Sequence, residues 1–327
     1  MRCLSPLLFA SASLSCLVPV SAFSQSAAGY PSKPVTMIAP FPAGGPVDTE
    51  VRLYTQRLAQ GLGQPFVVDA RPGAGTTIGT NYVAKAPADG YTLLVTNSSF
   101  SISPAFYPDL PYDPLKDIAP ISLMSKRSTA LFAAASAPFN NVKEYIAHVR
   151  AHPDAINMGT VGAGGALHLS GAWLHSATNT KVTFVHYKGA GPLFIDMFAG
   201  RTQVAFVTLS STLPHVKAGK LKILAMSTTE RSPLLPDMPT IAEQLVPGFE
   251  YSSWIGIAAP AAVSPEILGK LNAELVKTAK APEVVEKLVP QGTLLIGSTP
   301  AFFRQYIATE MSRWKKLVTE LGIKPEE

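Results

Sequence analysis

Two glycine-rich loops carry the clearest chemical potential in this sequence of 327 residues. The first, Pro40-Phe41-Pro42-Ala43-Gly44-Gly45-Pro46, follows a short apolar run and opens onto a segment with helical periodicity. The second, Gly159-Thr160-Val161-Gly162-Ala163-Gly164-Gly165-Ala166-Leu167-His168, has the same setting further along. A loop that opens a helix leaves N–H groups without intrahelical partners, and the helix dipole adds partial positive charge. Such an end favours an anion by about 0.3–1 kcal/mol, and by up to about 2 when partly buried. The first loop holds no Lys or Arg, so anion binding there rests on the backbone. Asp48, just inside the helix, reads as a cap. A tight connection with no ligand gives the same local pattern. Two such loops in two units, however, point to a ligand held between them.

Other candidate chemistry falls away on spacing. Gly73-Ala74-Gly75 and Gly162-Ala163-Gly164 begin as G-x-G but lack the third glycine of a dinucleotide fingerprint, and no G-x-x-x-x-G-K-[ST] occurs. His148 and His152 are four apart, yet Val149-Arg150-Ala151 separates them where H-E-x-x-H carries a glutamate, and Pro153 follows directly. They read as basic residues complementing a helix C-terminus. His168 and His175 share one helical face and read as core or capping histidines. Asp113 and Asp117 sit in a proline-rich stretch and read as turn formers. No G-x-S-x-G occurs. No catalytic residue, metal or cofactor is expected.

Composition narrows the class. The chain is 47% hydrophobic and 15% charged, against about a quarter charged in an average globular protein. Lys plus Arg is 27 and Asp plus Glu 22, a formal +5, with none of the basic stripes that nucleic-acid binding needs. Both cysteines, Cys3 and Cys16, fall at the start, so the rest has no thiol chemistry or disulfide. That start reads as a secretory signal: Arg2, an apolar stretch over 7–20, then Ser21-Ala22-Phe23-Ser24 at cleavage spacing. Cleavage is expected near Ser24, giving an exported, periplasmic protein. A lipid anchor at Cys16 fits less well, because Leu14 stands one place too close. No later segment has the run of about 20 apolar residues that spans a membrane.

The elements that would position the loops alternate. Strands are predicted over 35–39, 65–69, 91–96, 156–158, 182–186, 202–207, 221–226 and 251–258, with one long or two short strands over 121–135. Helices are predicted over 47–62, 77–86, 142–151, 168–176 and 193–199. Two more start at Ser264-Pro265 and Thr299-Pro300, each a cap followed by proline at the first helical position. Residues 104–120 read as an extended surface loop. The pattern implies an α/β fold of two lobes, each a mostly parallel sheet flanked by helices. Residues 25–127 and 250–327 make a discontinuous first lobe, and 128–249 the second. A chain that crosses twice between similar lobes makes a cleft able to close.

A set of short motifs carries a resemblance over essentially the whole mature chain. In order they include Tyr30-Pro31-Ser32-Lys33-Pro34-Val35, the 40–45 loop, Arg71-Pro72-Gly73-Ala74-Gly75 and Ala88-Asp89-Gly90-Tyr91-Thr92-Leu93. Leu110-Pro111-Tyr112-Asp113-Pro114, His168-Leu169, Tyr187-Lys188-Gly189, Lys217-Ala218-Gly219-Lys220-Leu221 and Ser253-Trp254 follow. Together they resemble the Bug family, the solute-binding receptors of tripartite tricarboxylate transporters. The resemblance implies a two-lobed periplasmic receptor, of the Venus-flytrap kind, that closes on a small carboxylate and presents it to integral-membrane transporter subunits. It places the ligand at Phe41, Ala43, Gly44 and Gly45, and at Thr160, Gly162, Ala163, Gly164 and His168. It adds Asn97, Ser98 and Ser99, and Val207 with Thr208. Many relatives carry Asp-Asn where this chain has Val207-Thr208. Without that aspartate, an amino-acid ligand loses its ammonium partner, and a dicarboxylate or aromatic carboxylate is favoured. Relatives often carry a Glu shortly after the His-Leu pair, where Ala172-Trp173 stand here, and Pro46 removes one N–H from the first loop. A protein that senses a ligand and signals without transporting it would look the same.

Overall fold

Short apolar runs stopped by proline or glycine become the strands, and caps followed by apolar stripes become the helices. The computed structural model describes residues 29–323 apart from 108 and 162–164. The expected leader, 1–24, lies outside the described residues.

The first half runs β1 (Val35–Ala39), α1 (Pro46–Leu62), β2 (Phe66–Ala70), α2 (Thr77–Ala84), β3 (Thr92–Asn97), α3 (Ser98–Phe106) and β4 (Ile118–Arg127). The chain then crosses into β5 (Thr129–Ala134), α4 (Val142–Ala151), β6 (Asn157–Val161), α5 (Ala166–Ala177), β7 (Thr183–Tyr187) and α6 (Ala190–Phe198). β8 (Val204–Thr208), α7 (Leu209–Lys217), β9 (Leu221–Met226) and α8 (Ile241–Gln244) follow. It returns through β10 (Ser253–Pro260) to α9 (Pro265–Ala279), α10 (Pro282–Leu288), β11 (Thr293–Leu295) and α11 (Pro300–Leu321).

The strands form a six-stranded sheet, β11-β4-β10-β3-β1-β2, and a five-stranded sheet, β7-β6-β8-β5-β9. Both are mixed. In the first, β1 to β4 run one way, and β10 and β11 run against them. In the second, only β5 opposes the others. The reversal has a simple cause: β5 and β10 are where the chain arrives from the other sheet, so each enters at the end its neighbours leave from.

Both faces of each sheet are covered. Val51, Tyr54 and Leu58 of α1 and Leu271 and Leu275 of α9 pack with Met37 and Val95 on one face of the first sheet. Val83, Phe303 and Ile307 cover the other with Leu94 and Leu123. In the second sheet, α4 and α5 lie on one side through Tyr145, Val149 and Leu174. α6 lies on the other through Leu193 and Met197. A further cluster of Ile102, Leu169, Tyr251, Trp314, Leu317 and Val318 joins α3 and α11 to α5, and so links the two halves.

Several expectations are corrected. The stretch 104–120 is not one loop: α3 extends to Phe106, with Pro104 inside it, and β4 begins at Ile118. Burial of Phe100 and Ile102 holds that helix together despite its serines and proline. Residues 121–135 are two strands, broken at Ser128. α7, also with an internal proline, and the short α10 and β11 are additions. Asp113 is a turn former as read: its Oδ1 accepts from the Leu115 and Lys116 amides at 2.9 and 3.1 Å.

His175 is a core histidine. Its Nε2 lies 2.9 Å from the Tyr145 hydroxyl and its Nδ1 2.7 Å from Thr180 Oγ1. Burial pushes its pKa down to about 4, whereas an unfolded histidine takes its proton near about 6.5. The unfolded chain therefore binds the proton first. Stability is fully present above pH 6.5 and falls as pH drops through 6.5 toward 4, by about 3 kcal/mol in all. Urea unfolding at stepped pH should show this slope in the wild type and a shallower one in His175→Gln. Parallel curves would rule out His175 as the source.

Candidate functional site

The register sets the predicted loops at the strand ends nearest the two crossings. Ser253 pairs with Arg127 and Ile255 with Asn97, so β3 and β4 end beside the start of β10. In the other sheet Thr129 pairs with Thr208, so β8 ends where β5 begins. The loops after β1, β2 and β3 and those after β6 and β8 therefore flank the crossing strands from opposite sheets. In α/β folds ligands bind outside the carboxyl ends of parallel strands.

On the first sheet's side, Phe41 is half-buried against the core and Ala43 is exposed. Gly44 has φ +82, a left-handed turn that suits glycine. Its amide is already committed, donating to Asp48 Oδ2 at 3.0 Å. The same oxygen accepts from Arg52 Nε at 2.9 Å. The Arg52 bond, aided by the Gly44 amide, holds the Asp48 carboxyl below the usual range against the opposing effect of burial. Asp48 thus caps the loop rather than the helix. Gly45 is the N-cap of α1 and has no side chain to cap with, and Pro46 supplies no N–H. The amides of Val47 and Asp48 are left without carbonyls inside the helix.

Asn97 caps α3, its Oδ1 accepting from the Ser99 amide at 3.0 Å. The Ser98 hydroxyl is buried beside the Tyr251 hydroxyl, and among the described residues Asp48 Oδ1, Thr76 Oγ1 and Thr96 Oγ1 are buried without a hydrogen-bond partner. Buried polar atoms are normally bonded, and each one left alone costs about 1–3 kcal/mol. Ala74 and Thr76 also hold left-handed φ of 43 and 84, a strained backbone of the kind found at binding sites. These residues lie on or next to the loops after β1, β2 and β3, with Thr96 at the end of β3 and Asp48 and Ser98 in the first turns of α1 and α3.

On the second sheet's side, Thr160 is buried at the end of β6 and its Oγ1 lies 2.6 Å from His186 Nδ1. His168, in the first turn of α5, packs edge-on against His186 at 4.9 Å and Phe184 at 4.6 Å between ring centroids. Gly162, Ala163 and Gly164 lie outside the described residues. Val207 is a core residue paired with Ala130 in the β5–β8 ladder. Thr208 Oγ1 lies 2.9 Å from Ser211 Oγ, and the first amide of α7 donates to Ser128 O at 2.9 Å. His186 was not expected from the sequence; its pairing opposite Thr160 in β7 is what places it here.

The helix ends are not all capped alike. α1, α5 and α7 start at these loops and have no side-chain cap. By contrast α4, α8, α9 and α11 carry caps from Asn141, Thr240, Ser264 and Thr299. α6 and α10 lack caps as well, α3 is capped by Asn97, and the first amide of α7 is taken by Ser128 O, so the uncapped N-termini able to offer amides beside the two glycine loops are those of α1 and α5. Among the described residues no group of three or more His, Cys, Asp or Glu is placed to hold a metal, and no helix is long and apolar enough to cross a membrane.

Residues 51–323 match the family described as the tripartite tricarboxylate transporter family receptor, TctC. The chain belongs to this family. It is a TctC solute-binding receptor, and solved relatives share its architecture. The periplasmic binding protein BugD is 31% identical, with 91% of this chain and 100% of that chain covered and a TM-score of 0.76. Rpa4515 of R. palustris, solved with adipate, is 32% identical, covering 91% and 100%, with a TM-score of 0.78. MatC of Rhodopseudomonas palustris, solved with bound malate, is 31% identical, covering 88% and 100%, with a TM-score of 0.74. These TctC relatives place the α/β, two-sheet fold among periplasmic binding proteins.

Proposed function

We propose that this receptor works in the periplasm, where it closes two lobes on a small carboxylate and delivers it to the membrane subunits of a tripartite transporter. The lobes are 25–127 with 250–327, and 128–249. The observation that carries this reading is the uncapped N-termini of α1 and α5, one after the loop that follows β1 and one after the loop that follows β6. Donors on both sides suit a ligand with an anionic group at each end. Adipate and malate, the ligands of two relatives, are both dicarboxylates. An aromatic carboxylate satisfies the same donors at one end. The ligand is held by the backbone of the 41–45 and 162–164 loops, with Ser98, Thr160 and His168 supplying side chains. Asn97 and Ser99 shape one wall, and Val207 with Thr208 the other. The receptor binds and releases its ligand without converting it.

A thermal-shift screen of the mature protein with C4–C6 dicarboxylates, benzoate, phthalates, aspartate and glutamate tests this. A ligand at 100 times its Kd adds about 2.7 kcal/mol of stability, a clear rise in Tm. Ser98→Val and Thr160→Val should each weaken the best ligand about tenfold or more, since a hydrogen bond to a charged group contributes about 1.5–3 kcal/mol. Tight binding of glutamate with no response to a plain dicarboxylate would overturn the ligand class. Normal uptake of that ligand in a deletion strain would overturn delivery.

A further inference from the structure

The crossing strands divide each sheet, and the predicted loops use only one side of the division. On the other side, β9 and β11 lead into a second space between the halves. A cavity of about 250 Å³ opens there, floored by Lys126, Arg127 and Ser128 at one crossing and by Glu250 and Ser252 at the other. Thr228 to Pro233, just beyond β9, wall it from the second half, and Leu294, Ile296 and Phe302 from the first.

We infer that this cavity is a second ligand site, across the back of the joint, for an organic anion with an apolar or aromatic body. Leu294 and Phe302 are 56% and 53% exposed, large apolar side chains left in water at the rim of one cavity. Isolated exposed apolar residues are ordinary, but a contiguous apolar wall beside polar groups marks a binding surface. The cavity's charged residues are Lys126, Arg127 and Arg231 against Glu230 and Glu250. Glu250 is already neutralised twice, by Lys126 at 3.2 Å and by Arg313 at 3.2 Å. Arg127 pairs with Glu50 behind the floor. Arg231 holds Glu243 through Nε at 3.0 Å and the Pro236 carbonyl through Nη1 at 3.2 Å. Among the described residues its Nη2 makes no hydrogen bond, so it is the donor assigned to an anionic head. An occupant would touch both halves and so bias their relative position.

The probe is 1-anilinonaphthalene-8-sulfonate, an aromatic body with one anionic head whose fluorescence rises out of water. The wild-type protein should bind one equivalent saturably. Leu294→Ser with Phe302→Ser should weaken it about tenfold or more through lost apolar contact, and Arg231→Gln severalfold. All three positions are solvent-exposed, and unchanged melting temperatures show that the variants fold. Adipate should leave the probe's Kd unaltered or move it only to a plateau, because it sits elsewhere. The site stands on the probe and the three substitutions, so it survives even if adipate fails to bind at all. Absence of saturable binding, indifference to the substitutions, or displacement by adipate without a plateau would each overturn it.

Discussion

Glu50→Ala should cost the fold about 3–5 kcal/mol, the scale for breaking a buried ion pair by removing one member. The Glu50 side chain is wholly buried and that of Arg127 only 12% exposed. Arg127 donates through Nε to Glu50 Oε2 at 2.9 Å and through Nη2 to the same oxygen. Oε1 accepts from the Tyr54 hydroxyl at 2.6 Å and from Ser125. Burial, with the Glu50 charge beside it, pushes the Tyr54 pKa well up, so the phenol stays a donor. Truncating Glu50 takes the carboxylate from the buried Arg127 charge and leaves two hydroxyl donors without their acceptor. Removing both charges at once, as Glu50→Leu with Arg127→Met, should restore most of the loss, because apolar replacements of buried pairs are often neutral. Urea denaturation of the three proteins measures this. A loss of less than about 1 kcal/mol for Glu50→Ala, the scale of an exposed pair, would mean that the cluster is solvated rather than sealed.

The second large effect lies at the packing of α11 on the first sheet. Phe303 is fully buried and meets Trp254 edge-on, with ring centroids 5.6 Å apart and planes at 85°. It lies directly over Gly256: a Cβ there would stand 2.0 Å from the Phe303 ring. Phe303→Ala should lose about 3–5 kcal/mol to lost burial and a cavity. Gly256→Ala should lose about 1–3 kcal/mol by overpacking. Because each change supplies the room or the bulk that the other lacks, the double variant should be less destabilised than the sum. A coupling of about 0.5–3 kcal/mol is usual for residues in contact. Simple additivity in denaturant melts would sink the argument.

Much of this architecture was legible from local signals. Val35–Ala39, Leu221–Met226, α4 and α11 match their predicted bounds because proline, a cap or a glycine marks each end. The failures share a cause. α3 and α7 contain proline and many hydroxyl side chains, so their propensity argues against helix, and only tertiary burial of Phe100, Ile102 and Leu209 overrides it. The reversed direction of β5 and β10 is invisible to periodicity, which reports faces and not headings. In the candidate site the glycine loops could be read because backbone geometry leaves a compositional trace. Asp48 was recognisable as a cap, but that it takes the Gly44 amide depends on how the loop turns. His186 on an edge strand, and the buried hydroxyls of Thr76 and Ser98, acquire meaning only through register and burial.

The way Asp48 is held sets how the two sides of the cleft respond to acidity. Along the described residues 41–45 and 97–99 no side chain ionises, and the neighbouring Asp48 is kept in its charged form by Arg52. Under the proposed function, a grip made of these amides has no proton to lose or gain, so on this side it would follow only the ionisation of the ligand itself. The opposite side carries His168 beside His186. Under the proposed function, the first of these sides would act as an anchor indifferent to the acidity of the surroundings.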